Sequence, residues 1–268
     1  MLSKAKIKEI RALGIKKYRD EQGLFVAEGD KTVSCLLQSF TCEWLVASPQ
    51  WIASQGEGTK GRRDEGAKVK EWVIVEEDEL RKASFFKTPQ DVLAIFRKPR
   101  FVLEEANPAS QLVLALDGIQ DPGNLGTVIR LAEWFGIEHL VCSRDTADAF
   151  SPKTVQATMG ALAHVKVHYT NLEAYILKNK VYPVYGTFLD GENIFQCPLS
   201  QQGIIVMGNE GNGIRPEIEV LINKRLHIPS YPPDHTTTGS LNVATATAIV
   251  CAEFRRPTNH YPLPTNPS

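Results

Sequence analysis

The stretch Leu112-Val-Leu-Ala-Leu-Asp-Gly-Ile-Gln-Asp-Pro-Gly-Asn-Leu-Gly-Thr-Val-Ile-Arg130 decides how this chain is built. Its first five residues form a continuous apolar run closed by turn formers, the pattern of a strand buried on both faces. Gly118, Asp121, Pro122 and Gly123 favour a turn, and Asn124 can then cap a helix with Arg130 about two turns along it. Short apolar runs recur at residues 140–142, 164–167, 183–187, 204–207 and 226–228, with helical stretches between several of them. This alternation predicts an α/β domain over residues 112–256, a mainly parallel sheet with helices on both sides. Ligands of such sheets gather at the carboxyl ends of the strands. Taken alone, the quoted stretch reads equally well as an ordinary strand–turn–helix corner with a surface arginine.

Upstream the rhythm differs. Ser3 can cap a helix whose Ile7, Ile10 and Leu13 share one face, while Lys4, Lys8, Arg11, Lys16, Lys17 and Arg19 make the opposite side basic. Strands are expected at residues 24–27, 44–47, 69–75 and 91–96, with helices at 31–38 and 77–82, so residues 1–97 read as a small α/β unit. Residues 54–68 break the composition: four glycines (Gly56, Gly58, Gly61, Gly66), many charges and almost nothing apolar mark a surface loop or insert. Residues 98–111, with Pro99, Asn107, Pro108 and Ser110, read as the linker. A last helix is expected over 240–255, followed by an irregular tail at 257–268 with four prolines.

The whole-chain balance narrows the function classes. Among 268 residues, 30 Lys and Arg offset 31 Asp and Glu, which excludes a globally basic nucleic-acid binder and leaves a local basic patch as the only electrostatic route to RNA or DNA. The five cysteines have irregular spacing and no C-x-x-C, so they read as small buried hydrophobes of a reducing compartment. No secretory signal and no membrane-spanning run are expected, and the localisation reading is cytoplasmic. The phosphate-loop, dinucleotide and H-E-x-x-H patterns are missing. His164 and His168 flank a strand-like stretch, where four residues span roughly 13 Å, too far for one metal. Both read as structural, and no metal is expected.

Two further segments join the first. Residues 204–213, Ile-Ile-Val-Met-Gly-Asn-Glu-Gly-Asn-Gly, run from a buried strand into a glycine-rich loop holding one carboxylate, Glu210. Residues 228–242 begin Ile228-Pro and end Ser240-Leu-Asn242, opening a helix of small residues. Together the three resemble the motifs of the SpoU/TrmH family of RNA ribose methyltransferases, of the SPOUT class. Asn124-x-Gly126-x-x-x-Arg130 matches the first motif, Met207-Gly-x-Glu210-Gly-x-Gly213 the second, and Ile228-Pro with Ser240-Leu-Asn242-Val the third. The stretch Lys17-Tyr-Arg-x-x-x-Gly-Leu-Phe-Val-Ala-Glu-Gly29 is similar to the ribosomal-protein-like RNA-binding domain often attached to that family.

The resemblance implies a trefoil-knotted catalytic domain, a homodimer, an RNA substrate and S-adenosylmethionine as methyl donor. Carried over by motif, the catalytic set is Arg130, Asn124, Glu210, Ser240 and Asn242, and the cofactor set is Thr187, Gly208, Ile228 and Leu241. Arginine is a poor base, so the role expected for Arg130 is to stabilise a developing alkoxide and grip a phosphate, with Asn124 and Asn242 orienting it. Glu210 reads either as a partner of that arginine or as a support of its own loop. Residues 230–239 form a longer insertion than the family usually carries, and its His235 reads as a solvent-facing residue. Lys4, Lys8, Arg11, Lys16, Lys17 and Arg19 become candidate contacts to RNA phosphates, with a solvated helix face as the plain alternative. The expected activity is 2′-O-methylation of ribosomal RNA; transfer RNA as substrate, a base methylator, or a non-catalytic RNA-binding factor on the same fold are the rival readings.

Overall fold

The computed structural model describes residues 2–55, 69–232 and 239–256. Most of the 54–68 composition break, the centre of the 230–239 insertion with His235, and the 257–268 tail lie outside the described residues. The chain opens with α1 (Lys4–Ala12), α2 (Lys16–Gln22), β1 (Leu24–Glu28), α3 (Asp30–Ser39), β2 (Cys42–Ala47), α4 (Pro49–Ser54), β3 (Val69–Ile74), α5 (Glu77–Ala83) and β4 (Val92–Arg97). The Ser3 hydroxyl accepts the Lys6 N–H and caps α1 as its sequence predicts. The four strands pair in the order β1-β4-β2-β3, with β2 and β3 parallel and the other ladders antiparallel. Strand alternation then sorts the side chains: Val26, Val46 and Ile95 face Ile10, Leu13 and Leu80, whereas Phe25, Leu45 and Phe96 face Val33, Leu36 and Trp51.

The second sheet carries β5 (Leu112–Leu116), α6 (Pro122–Trp134), β6 (His139–Ser143), α7 (Pro152–Thr158), β7 (Lys166–Thr170), α8 (Leu172–Lys178), β8 (Val184–Asn193), β9 (Gly203–Met207), α9 (Pro216–Glu219), β10 (Lys224–His227) and α10 (Val243–Phe254). Its order is β10-β8-β9-β5-β6-β7 and every ladder is parallel. Strands β5, β6 and β9 are buried throughout, which is why they read as unbroken apolar runs.

Helix α4 is not among the expected elements, β8 runs on to Asn193 and β10 starts at Lys224; two further departures have a local cause. The strand expected at 164–167 starts two residues later, because His164 and Val165 donate their N–H groups to Ala161 in a tight turn and are lost to the ladder. The cap of α6 is Asp121, not Asn124: the Asp121 carboxylate accepts the Asn124 N–H, so the helix begins at Pro122 and Asn124 lies within its first turn.

The two sheets share one apolar cluster, in which the Phe25 and Phe150 rings lie 4.9 Å apart. At its edge Arg19 is 2% exposed and its guanidinium donates to Asp148 at 2.7 and 3.1 Å and to the Leu13 carbonyl at 2.7 Å. Arg19 is therefore withdrawn from the RNA-contact set: its charge is spent on Asp148, and no phosphate reaches it. Leaving one member of such a buried pair alone costs about 3–5 kcal/mol, so this contact helps fix the first unit against the second.

His139 and His168 form a second buried joint, on β6 and β7. Their rings stack, with ring nitrogens 3.0 Å apart, and Phe101 of the linker packs on His168 at 5.9 Å. Burial, reinforced by the neighbouring His139, pushes His168 down to about 4, and burial also lowers His139. A histidine held neutral in the fold takes its proton first when unfolded. Stability should therefore be complete above the ordinary histidine value near 6.5 and be lost as pH falls from there toward about 4. Urea midpoints measured between pH 7.5 and pH 4.5 should fall for the native chain and fall less for His168→Phe; equal pH slopes for the two would disprove the assignment.

Candidate active site

The site lies where the carboxyl ends of β5, β9 and β10 and the middle of β8 meet the start of α10. Its frame is an ion pair between a buried carboxylate and a partly exposed arginine. Asp117, at the end of β5, has a fully buried side chain; it accepts from the Arg215 backbone N–H at 2.8 Å and from Arg215 Nε at 2.7 Å. This contact binds the turn before α6 to the loop after β9, and it holds the Arg215 guanidinium above its usual value. A second tie runs alongside it: Asn209 Nδ2 donates to the Gly118 carbonyl at 2.7 Å, while Asn209 Oδ1 accepts the N–H groups of Gly211 and Asn212.

On this frame three distant segments converge on one side chain. Asn124 Nδ2 donates to the Glu210 carboxylate, and Asn242 Nδ2 donates to Asn124 Oδ1 at 3.2 Å. Asn242 is also the cap of α10, its Oδ1 accepting from the Ala244 and Thr245 N–H groups. The relay Asn242–Asn124–Glu210 therefore spans all three sequence motifs. Gly126 serves packing, since a Cβ there would sit 2.5 Å from the Ala157 Cβ; glycine lets α6 press against α7. Lys153, on α7, bonds Asp121 and holds its carboxyl below the usual range, keeping the α6 cap ionised.

Arg130 stands apart from this relay. It is exposed on α6, and among the described residues its side chain makes no hydrogen bond or ion pair. The expectation that Asn124, Asn242 or Glu210 orients it is not met within this chain: the two asparagines and Glu210 bond one another instead. Ser240 is exposed beside Leu241.

Next to the relay lies a cleft of about 420 Å³. Thr187, Gly208, Ile228, Ser240 and Leu241 line it, together with Glu210. Its floor depends on glycine: a Cβ at Gly208 would lie 2.4 Å from the Gly213 carbonyl carbon, so any side chain forces the loop open. Thus all four residues carried over for cofactor binding line one cavity, of the size small-molecule sites usually have. Sequence reading missed Asp121, Asn209 and Arg215. The first had a signal, an aspartate before Pro at a helix start; the other two act through partners about 90 residues away and had none.

Comparison with known proteins agrees with this geometry. Residues 111–252 match the model of the SpoU rRNA Methylase family, and residues 4–94 match that of an MRM3-like substrate binding domain. The chain belongs to the SpoU rRNA methylase family. It is 33% identical over 255 residues to the 23S rRNA (guanosine(2553)-2′-O)-methyltransferase RlmP of Bacillus subtilis, covering 93% of this chain and 96% of that protein. Among solved structures, a TrmH-family protein from Porphyromonas gingivalis superposes with a TM-score of 0.81 at 39% identity, covering 96% of this chain and 99% of that one. An AdoMet-bound rRNA methyltransferase from Sinorhizobium meliloti superposes with a TM-score of 0.80 at 32% identity, covering 96% of both chains. The enzyme class is therefore methyltransferase.

Gly208→Val should lower the affinity for S-adenosylmethionine by at least roughly tenfold, about 1.4 kcal/mol, in a calorimetric titration, with the thermal midpoint as a check on folding. Unchanged affinity in the folded variant would move the cofactor out of this cleft.

Proposed function

We propose that this enzyme transfers the methyl group of S-adenosylmethionine to a ribose 2′-hydroxyl of ribosomal RNA. The observation that carries the reading is the Asn242–Asn124–Glu210 relay at the mouth of a glycine-floored cleft. When bound, S-adenosylmethionine supplies a methyl group on a cationic sulfur, already activated for displacement. The residues of this chain then align the attacking oxygen and ease the loss of its proton. Asn124, Asn242 and Glu210 fix the mouth of the cleft, and Ser240 stands beside them. Arg130 brings a guanidinium without a partner among the described residues, which stabilises charge growing on the 2′-oxygen and grips a substrate phosphate. Arginine does not give up its proton near neutral pH, so the hydroxyl proton passes to that phosphate or to water. The oxygen so aligned would take the methyl group that bound S-adenosylmethionine supplies, and the sulfur would keep the electron pair of the bond that breaks.

Residues 1–97 act as the RNA-binding unit, joined through 98–111 to the catalytic domain at 112–256. Lys4, Lys8, Lys16 and Lys17 are exposed and give that unit a basic edge suited to phosphates, while Arg11, exposed beside them, has its guanidinium on the Ser84 carbonyl and over the Phe85 ring. Ribosomal RNA is favoured over transfer RNA because RlmP, similar over nearly the whole chain, is named for it. The path of the chain supports a trefoil knot: β10 lies at the sheet edge, yet α10 returns to bond α6 across the intervening strands. The free cysteines agree with a cytoplasmic setting, and no described helix is long and apolar enough to cross a membrane.

The active form is a homodimer. Trp134 is 81% exposed on α6, one turn beyond Arg130, and beside it α10 offers the small and apolar residues Ala248, Ile249 and Ala252. A second copy covers this two-helix face and closes the side on which Arg130 stands open. Sedimentation equilibrium should show a dimer at micromolar concentration and a monomer for Trp134→Glu; a native monomer refutes the proposal.

The activity is tested with ribosomal RNA from cells lacking the protein, digested after reaction and analysed as nucleosides by mass. The native chain should yield a 2′-O-methyl nucleoside. Arg130→Ala should lose at least about a hundredfold in rate, the scale of losing one donor that stabilises a developing oxyanion. A methylated base as product, or an Arg130→Ala rate within a few-fold of native, would overturn the reading.

A further inference from the structure

Strand β8 meets its neighbours twice. Tyr185 and Gly186 pair with Lys224 and Arg225 of β10; the register then jumps, and Glu192 and Asn193 pair with Leu226 and His227. Residues 187–191 leave the ladder in between and bulge outward. This bulge supplies Thr187, Phe188 and Leu189 to one wall of the cleft, and Leu189 is 79% exposed there. No ladder pair holds its centre, although Gly191 at its far end lies close against the β10 backbone, where a Cβ would be 2.5 Å from the Leu226 carbonyl carbon.

Among the side chains that position the centre, the one joining most partners is Arg225, at the jump. Arg225 Nη2 donates to Asp190 on the bulge at 2.5 Å, and Arg225 Nη1 donates to Glu219 of α9 at 2.6 Å. The guanidinium carbon lies 3.6 Å from the centre of the Phe188 ring, over its face. Phe188 packs with Leu221 and Ile222 against the apolar cluster that contains Ile214 and Ile218. His227, two residues along β10, has its Nδ1 at 3.2 Å from the Phe188 carbonyl. Exposed ion pairs singly are worth little. Here one planar cation bonds two carboxylates from different elements and covers an aromatic face at the same time, a combination a lysine does not reproduce. Glu219 itself lines the cleft. The clasp therefore joins two elements that line the cavity, the bulge and α9.

We propose that Arg225 is a positioning residue for cofactor binding, clasping the 187–191 bulge of β8 to Glu219 of α9 and so preforming the cleft wall. The inference rests on assigning this cleft to S-adenosylmethionine. With the clasp intact, the wall stands ready and the cofactor does not spend binding energy ordering it. Without it, the free protein samples other bulge positions, and affinity falls by the fraction of time the wall is misplaced. The bound state is reached all the same, so the rate at saturating cofactor stays near native.

The test is calorimetric titration of the folded full chain with S-adenosylmethionine, alongside methyl-transfer kinetics. Arg225→Ala should raise the dissociation constant roughly tenfold, and KM for the cofactor in step, with kcat within about twofold, the pattern of lost uniform binding. Arg225→Lys should fall between native and Arg225→Ala, and Asp190→Asn should raise the constant about threefold; these milder changes carry the test if Arg225→Ala does not fold. A cofactor affinity within about twofold of native in folded Arg225→Ala or Asp190→Asn, with only the thermal midpoint lowered, would reduce the clasp to a structural contact and overturn the proposal. Gly208→Val separates the clasp from the cleft assignment. Native affinity there means that the cleft is misassigned. Lost affinity there with native affinity in Arg225→Ala means that the clasp alone is wrong.

Discussion

A carboxylate with no exposure to water is costly unless it is answered, and Asp117 is answered by Arg215. Much of the site follows from that one requirement. Arg215 must come to Asp117 from the loop after the neighbouring strand β9, bringing with it the whole 208–215 loop. Asn209 then reaches the Gly118 carbonyl, and Glu210 arrives opposite Asn124. The loop has no regular secondary structure of its own beyond a bridge between Asn209 and Gly213. Its shape is imposed by what it must satisfy at the end of β5.

The relay then passes that order to α10. Asn242 has two obligations, to cap its own helix and to bond Asn124, and one amide serves both because its oxygen and nitrogen face different partners. An aspartate would cap α10 equally well but has no N–H for Asn124. The three asparagines of the site, 124, 209 and 242, each use donor and acceptor ends at once, so the residue type is set by hydrogen-bond arithmetic as well as by size.

Uniform burial made part of the catalytic sheet legible in the sequence. Strands β5, β6 and β9 are buried on both faces and appear in the sequence as plain apolar runs. The motif residues could be placed on their loops because glycine and asparagine mark turns and caps. What the chain did not disclose depends on partners far away in sequence. The basic pattern on α1 and α2 gave no hint that Arg19 differs from Lys16 and Lys17, since only the arrival of Asp148, more than a hundred residues later, withdraws it from solvent. The start of β7 was hidden because a turn and a strand compete for the same backbone donors at residues 164 and 165, and local apolarity favours neither. Arg225 sits in a strand whose neighbour bulges, and a register jump leaves no compositional trace.

The joint between the two sheets has a geometric consequence. Phe25 against Phe150 and Arg19 against Asp148 close this edge of the boundary with an apolar contact and a buried ion pair, both of which a hinge motion would have to break. The exposed lysines of α1 and α2 are thus held at a constant separation and angle from the cleft. A molecule resting on both does not choose how far apart they are; only shapes whose own contour spans that gap fit. Selectivity of this kind is ruled by dimension, as with a fixed gauge: it rejects by size and curvature before any chemical group on the visitor is consulted.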